Sequence, residues 1–301
     1  MYSVRWNLIL TAGLLLGALT ASASADLTYT MEGTTTIERP DAEEAEVEEF
    51  WYTQYFTEDN WRRDQFAEEP GEGVEPDVTV IRYADREETA ILTWEARQAQ
   101  ILPDETIERL DDMLAQLKRA MENVPDGFDL GDAFEMPSEV KGMLSATKPV
   151  IAVTVEGPLG TDTIAGLACD QYRVVTEVRD PEDADDEFWG HTIETSDQWI
   201  TEELVPPITH FDPELWDATR QAILYLEAWE EATAGLDMPP GVAAKSITVS
   251  VDQLTDVVTT TETELTEHHT DAIGDAVFEI PEDFEVTTIE AEGMMMPGMM
   301  G

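Results

Sequence analysis

The chain contains a single cysteine, Cys169, among its 301 residues. One cysteine cannot form an intrachain disulfide, so the fold has to be stabilised by its core rather than by covalent cross-links. Free cysteines are usually buried and behave as small hydrophobic residues. We therefore expect Cys169 to be buried, with a reactive or metal-binding thiol as the alternative.

Basic residues are scarce as well, with 16 Lys and Arg against 66 Asp and Glu and a formal net charge of −50. Such a charge excludes nucleic acid and anionic membrane surfaces as partners. Eight Trp residues and long Val, Ile and Thr runs argue against a disordered acidic chain. Low Lys with high Asp, Glu and Thr resembles proteins of extreme halophiles, so we predict a folded protein whose acidic surface is screened by concentrated salt.

Long apolar runs are absent except at the N-terminus, where Leu8 to Leu19 follows the single charge of Arg5. This run is too short to span a bilayer, and the small residues from Ala21 to Ala25 follow it. We predict a secretory signal peptide, residues 1–25, cleaved before Asp26. No cysteine follows the run, so we expect an exported chain, periplasmic or extracellular, without a lipid or transmembrane anchor.

Motifs of known catalytic chemistry are also missing. The sequence has no Gly-x-Ser-x-Gly, His-Glu-x-x-His or Gly-x-x-x-x-Gly-Lys, and its four His lack metal-ligand spacing. The acidic run from Asp180 to Glu187 could attract calcium, but it lacks the glycine and ligand rhythm of a calcium loop and is better explained as a solvated turn. We predict no catalytic residues, no cofactor and no metal site in the folded domain, and hence no enzyme.

The most informative stretch is an aromatic segment, Val47 to Phe56. Alternate residues of a strand point to opposite faces, which places Phe50, Tyr52 and Phe56 on one face and Trp51 and Tyr55 on the other. Because both faces are aromatic, neither is typical of a solvated surface. The pattern predicts a strand in a sheet that is covered on both sides, or in a curved sheet with an apolar hollow.

The remaining pattern predicts one domain over residues 26–290, followed by a disordered, Met-rich tail at 291–301. Alternating segments indicate an antiparallel sheet of about nine to eleven strands, and the first strand carries Leu27, Tyr29 and Met31 on one face. The stretch Gly157–Gly160 indicates a turn, and strands at Ala276 to Ile280 and Phe284 to Ile289 are predicted to close the sheet. Two segments have helical periodicity, Asp104 to Asn123 and Asp212 to Glu231, and each begins with an Asp suited to the N-cap. The predicted fold class is α+β, with both helices packed on the concave face of the sheet.

Four short motifs occur in an order that resembles the LolA/LolB superfamily of exported lipoprotein carriers, and most closely a domain-of-unknown-function branch of it. The motifs are Trp61-Arg62-Arg63-Asp64, Ile164-Ala165-Gly166-Leu167-Ala168-Cys169 continuing to Tyr172 and Val174, Gln198-Trp199-Ile200-Thr201 with Leu204, and Phe278 with Pro281 and Phe284. The resemblance implies a strongly curved antiparallel half-barrel closed by helices, with an apolar hollow. Without a lipid-attachment cysteine, the chain departs from the anchored LolB members.

We therefore hypothesise a non-enzymatic carrier or sensor of a lipid-like hydrophobic ligand in the envelope, since ligand pockets are mostly apolar. The candidate ligand-binding residues are Tyr52, Phe56, Trp94, Trp216 and Trp229. The pattern does not show which of these residues line a hollow and which pack in the hydrophobic core. If side chains fill the hollow, the protein has a structural or interaction role instead. A third hypothesis is Cu(I) binding by the thioethers of the tail, which are Met294, Met295, Met296, Met299 and Met300.

Overall fold

The computed structural model describes residues 26–42, 44–106, 109, 148–181, 189–206, 225, 228–229, 231–236 and 240–290. The predicted signal peptide and the Met-rich tail lie outside these residues. Most of the two predicted helices lies outside them too, and the described positions within them, such as Asp104 and Trp229, are helical. Among the described residues, no helix is long and apolar enough to cross a membrane.

Twelve strands form one open sheet in the order β12-β6-β5-β4-β3-β2-β1-β11-β10-β9-β8-β7. The strands are β1 (Leu27–Glu38), β2 (Glu46–Phe56), β3 (Asn60–Phe66), β4 (Val78–Tyr83), β5 (Glu88–Thr93), β6 (Gln98–Pro103), β7 (Val150–Ile164), β8 (Leu167–Arg179), β9 (His191–Thr201), β10 (Val242–Asp252), β11 (Val258–His269) and β12 (Glu285–Thr288). Every neighbouring pair is antiparallel except β12, which runs parallel to β6. The order places β1 at the centre, between β2 and β11.

The predicted fold class is wrong. The described chain is an almost entirely β, open twelve-stranded sheet rather than an α+β fold with helices on its concave face. The sheet is larger than predicted because β6, which lies between β12 and β5, is partly polar and has too weak an apolar alternation to be predicted as a strand. In addition, β7 continues through the predicted turn at Gly157–Gly160 as an irregularity in its pairing with β8.

The central cluster of buried side chains lies on the sheet face that carries Leu27, Tyr29 and Met31, which we call the Tyr29 face. Cross-strand partners share a face, so the register extends this face to Phe56 on β2, Trp61 on β3 and Leu265 on β11. All of these side chains are buried in one cluster. The apolar alternation of β1 therefore builds the core that the sequence predicts.

The opposite face of β3 to β6 is covered by the C-terminal segment that precedes β12. A second cluster packs Ile81, Tyr83 and Leu92 against Phe278 and Phe284 of this segment. The predicted strand at Ala276 to Ile280 is instead a 3-10 turn, η1 (Asp275–Phe278). It is held in place by the hydroxyl of Tyr83, which donates to the backbone carbonyl of Phe278 at 2.6 Å. The carbonyl of Phe278 therefore accepts a hydrogen bond from a side chain and not from a neighbouring strand.

A third cluster lies at the other end of the sheet. Helical residues Tyr225 and Trp229 pack against Val153, Val174 and Val178, which the register assigns to the Tyr29 face of β7 and β8. The two rings are stacked with centroids 6.3 Å apart. This end of the Tyr29 face is therefore closed by helix, although the fold as a whole is a sheet.

Candidate ligand-binding face

The Tyr29-face residues of β2 become steadily less buried toward the start of the strand. Phe56 is fully buried and Gln54 is buried, whereas Tyr52 and Phe50 are half-buried. The Phe50 and Tyr52 rings are nearly parallel, with an interplanar angle of 10° and centroids 6.4 Å apart. Two stacked rings with partial access to solvent therefore continue a fully buried aromatic core on one face of the sheet.

Gly33 determines where the Phe50 ring lies. Gly33 pairs with Phe50 across β1 and β2. A Cβ atom at Gly33 would lie only 2.3 to 2.8 Å from three atoms of the Phe50 ring. Because glycine has no side chain, the ring can lie directly against the β1 backbone, and any other residue would push it away.

Arg63 supplies a positive charge beside the aromatic rings. Its guanidinium carbon lies 4.7 Å from the centroid of the Tyr52 ring, within cation–π distance. Deeper in the cluster, Trp61 Nε1 donates to Gln54 Oε1 at 2.9 Å, which satisfies a buried indole. The half-buried rings of Phe50 and Tyr52 therefore have one cation beside them and adjoin a buried cluster whose indole is hydrogen-bonded.

Burial raises the pKa of the Tyr29 phenol strongly, and the neighbouring Tyr52 raises it further, whereas Arg63 and a hydrogen bond with Gln54 oppose the rise. The pKa values of Tyr225, Tyr55 and Tyr83 are also raised, in each case mainly by burial. These phenols are therefore neutral at physiological pH. Tyr29 and Tyr225 therefore add no negative charge to the Tyr29 face.

We predict alkaline destabilisation from these tyrosines. A group with a raised folded-state pKa gives its full stabilisation below its unfolded pKa, near 10 for tyrosine, and loses it as pH rises toward the folded value. The melting temperature should fall progressively above about pH 10, and the Tyr29→Phe variant should show a shallower fall. Thermal scans from neutral pH upward, paired with ultraviolet titration of the phenols, measure this. Equal slopes for the two proteins would contradict the assignment to Tyr29.

The predicted ligand-binding residues do not form one group. Tyr52 and Phe56 lie in the same cluster on the Tyr29 face. Trp94 lies in the second cluster on the opposite face, in an edge-on contact with Phe284 and donating from Nε1 to Thr79 Oγ1 at 2.8 Å. Trp229 lies in the third cluster, and Trp216 is outside the described residues.

Comparison with known proteins gives only distant similarity. No family model and no curated protein matches the chain. Among solved structures, PNGF-II has a TM-score of 0.33 and 11% identity over 88% of this chain, which spans only 31% of PNGF-II.

Two smaller structures match over most of their own length. A domain from Vibrio parahaemolyticus, described as an outer membrane lipoprotein-sorting protein, has a TM-score of 0.26 and 8% identity over 84% of this chain and 89% of its own. A DUF1329 family protein from Desulfovibrio piger ATCC 29098 has a TM-score of 0.28 and 8% identity over 85% and 90%. TM-scores this low establish neither a shared fold nor a family, so membership of the LolA/LolB superfamily stays a prediction.

Three residues of the aromatic site were not among the predicted ligand-binding residues: Gly33, Phe50 and Arg63. The alternation of β2 already placed Phe50 on the same face as Tyr52. Arg63 belongs to the motif that follows the aromatic strand, but the sequence does not fix the pairing register that brings it beside Tyr52. The role of Gly33 depends entirely on the register between β1 and β2.

The described residues contain no group of three or more His, Cys, Asp or Glu side chains that could hold a metal ion. Cys169 is buried, as predicted, and burial raises the pKa of its thiol. A raised thiol pKa disfavours the thiolate, which is the nucleophilic form. The thiol therefore packs as an apolar group in the central cluster.

Proposed function

We propose that this protein is an exported, non-enzymatic carrier or sensor of a lipid-like hydrophobic ligand, and that the ligand contacts Phe50 and Tyr52. The observation that supports the proposal is the pair of stacked, half-buried rings that extends the buried aromatic cluster of the Tyr29 face. If these rings only packed in the hydrophobic core, they would be fully buried. If β2 were an ordinary surface strand, the rings would not lie on a face whose other residues are buried.

The surroundings of the rings favour an amphiphile over a fully apolar molecule. Tyr52 presents a phenol beside Arg63, so the site combines apolar area with polar groups. Sites for small molecules are mostly apolar with a few such polar groups. The LolA/LolB resemblance implies an apolar hollow that suits a lipid, and this agrees with the proposal. It rests on sequence motifs and is independent of the positions of Phe50 and Tyr52.

Native mass spectrometry of protein purified from its own envelope tests the proposal directly. We expect a co-purifying, lipid-sized mass that solvent extraction removes. The extracted protein should rebind a lipid or an apolar dye in high salt, with a change in Trp fluorescence. A clean apo mass together with no binding of fatty acid, phospholipid or dye would contradict the carrier function and leave a structural role.

A pair of tyrosines provides a matched test of the site. Tyr52 and Tyr55 are both half-buried on β2 and both lie near an arginine, but they point to opposite faces. We expect Tyr52→Ala to weaken dye or lipid binding about tenfold, since losing half-buried aromatic contact costs roughly 1.4 kcal/mol. Tyr55→Ala should leave binding unchanged. Equal effects of the two substitutions, measured by fluorescence titration, would place the ligand elsewhere.

A further inference from the structure

The Tyr29 face changes character beyond β1. On β1, β11, β10 and β9 it carries buried hydroxyl residues, and we call six of them the hydroxyl patch: Thr35, Thr261, Thr263, Ser246, Thr248 and Ser196. The strand register aligns them in neighbouring rows, such as Thr35, Thr261, Thr248 and Ser196 across four strands. Alternating β-strands usually bury apolar side chains on such a face, so an apolar core does not explain this composition.

The hydroxyls of the patch are bonded to one another in pairs. The pairs are Ser246 with Thr263 at 2.8 Å, Ser196 with Thr248 at 2.9 Å, and Thr35 with Thr261 at 3.3 Å. When two hydroxyls share one hydrogen bond, one of them donates and the other keeps its own hydrogen. Among the described residues, the only further bond to these six hydroxyls is donated by Gln198 to Ser196, so each pair retains an O–H donor.

A separate observation comes from the helical residues at the far end of this face. Trp229 is 1% exposed, and its indole Nε1 has no hydrogen-bond partner among the described residues. Its stacking partner Tyr225 lies close enough to Glu194 of β9 for that carboxylate to raise the pKa of the phenol. Glu194 is the neighbour of Ser196 on the same face of β9, two residues earlier in the chain. Burying a hydrogen-bond donor without an acceptor is unfavourable. The indole N–H of Trp229 would therefore be stabilised by an acceptor, as the hydroxyls of the patch would be.

The hydroxyl patch adjoins the aromatic site. Gly33 pairs with Phe50 on one side and with Thr263 on the other, so only a glycine separates the Phe50 ring from the Ser246–Thr263 pair. Strands β1 and β8 to β11 place no Lys or Arg on this face, while Glu194 adds a carboxylate to it. The patch therefore offers donors without positive charge, next to half-buried aromatic rings.

We propose that the hydroxyl patch recognises an uncharged, oxygen-rich head group of the ligand, such as that of an acylglycerol or a glycolipid. This inference rests on the proposed carrier function and specifies its ligand class. Ester, ether and hydroxyl oxygens accept the hydrogen bonds that the patch can donate. A carboxylate head is disfavoured by Glu194 and by the absence of Lys and Arg on this face of β1 and β8 to β11. The apolar tail then lies along Phe50 and Tyr52.

Two probes with the same tail test the head-group preference. The mature chain, residues 26–301, is titrated in molar NaCl with monododecanoylglycerol and with dodecanoate, both below their micellar concentrations, and binding is followed by Trp fluorescence and calorimetry. We expect the glycerol ester to bind about tenfold more tightly, because it can accept two or three neutral hydrogen bonds from the patch that dodecanoate does not gain, and a tenfold change in affinity corresponds to about 1.4 kcal/mol.

The double variant Ser246→Ala/Thr263→Val removes the hydroxyl pair nearest Phe50 and changes little volume. It should lose about tenfold in affinity for the glycerol ester and none for dodecanoate. Thr260→Val, on the opposite face of β11, is the matched control and should change neither affinity. Retained binding of the neutral dye N-phenylnaphthylamine shows that the double variant is folded.

The outcomes separate this inference from the carrier function. If both probes bind equally well, or dodecanoate binds more tightly, the head-group inference is overturned and the carrier function stands. If the double variant keeps the preference for the glycerol ester, the hydroxyl patch is not the recognition element. If neither probe nor the dye binds the unmodified chain, the carrier function itself fails, and the inference fails with it.

Discussion

Transfer of the mature chain from molar salt to low salt is expected to destabilise its fold strongly. The predicted mature chain has 15 basic and 66 acidic residues, a formal net charge of −51. The Debye length is about 3 Å at 1 M salt and about 10 Å at 0.1 M, so repulsion among surface carboxylates grows sharply on dilution. We expect the free energy of unfolding to fall by several kcal/mol, which lowers the melting temperature by roughly 10 °C or more.

The sheet contains a local example of this repulsion at its centre. Glu32 of β1 lies directly opposite Glu264 of β11, and both carboxylates are exposed. Like charges in directly opposed positions destabilise an antiparallel pair. Lys245 of β10 offsets part of this effect, since its Nζ lies 2.6 Å from Glu264 Oε2. The central strand pair therefore depends on screening in addition to its hydrogen bonds.

Thermal melts across a series of NaCl and KCl concentrations measure the salt dependence. Glu32→Gln should raise the melting temperature at low salt and leave it unchanged at molar salt, because it removes one member of the opposed pair. A substitution distant from Glu264, such as Glu95→Gln in the turn after β5, is the control for net charge alone. A melting temperature that does not change between low and high salt would refute the predicted halophilic adaptation.

Gly241→Ala is expected to be the most damaging single methyl addition in the described chain. Gly241 has φ of +112° and directly precedes Val242, the first residue of β10. A Cβ atom there would lie 1.9 Å from the carbonyl oxygen of Thr201 and 2.8 Å from its carbonyl carbon. Both are backbone atoms of β9, so rotating a side chain cannot relieve the clash, and β9 and β10 would have to separate at this end.

Gly235 isolates the steric part of this effect. It also has positive φ, +92°, but a Cβ atom there meets nothing within 4 Å. Gly235→Ala should therefore show only backbone strain, about 1 to 2 kcal/mol, whereas Gly241→Ala should cost about 4 kcal/mol or more. Chemical denaturation of both variants in high salt measures the difference. Similar losses for the two would mean that β9 and β10 adjust around the added methyl group.

Local patterns predicted most of the strands. The alternation of Leu27, Tyr29 and Met31 and the aromatic segment ending at Phe56 gave strands with the expected faces. Prediction failed where alternation was weak or interrupted, as in the partly polar strand β6 and at Gly157 within β7. It also failed at η1, where an apolar segment packs across the sheet instead of joining it. In each case a tertiary contact outweighed the local preference.

The sequence by itself determined the charge, the absence of disulfides, the burial of Cys169 and the aromatic character of β2, because these follow from composition and from the two-residue period of a strand. Only the tertiary structure decided which strands are neighbours. Register between distant segments depends on packing across the whole sheet, and register alone brings Gly33 between Phe50 and Thr263 and sets Arg63 beside Tyr52. It also separates Trp94 from Tyr52 onto opposite faces and gathers the scattered Ser and Thr residues into one patch.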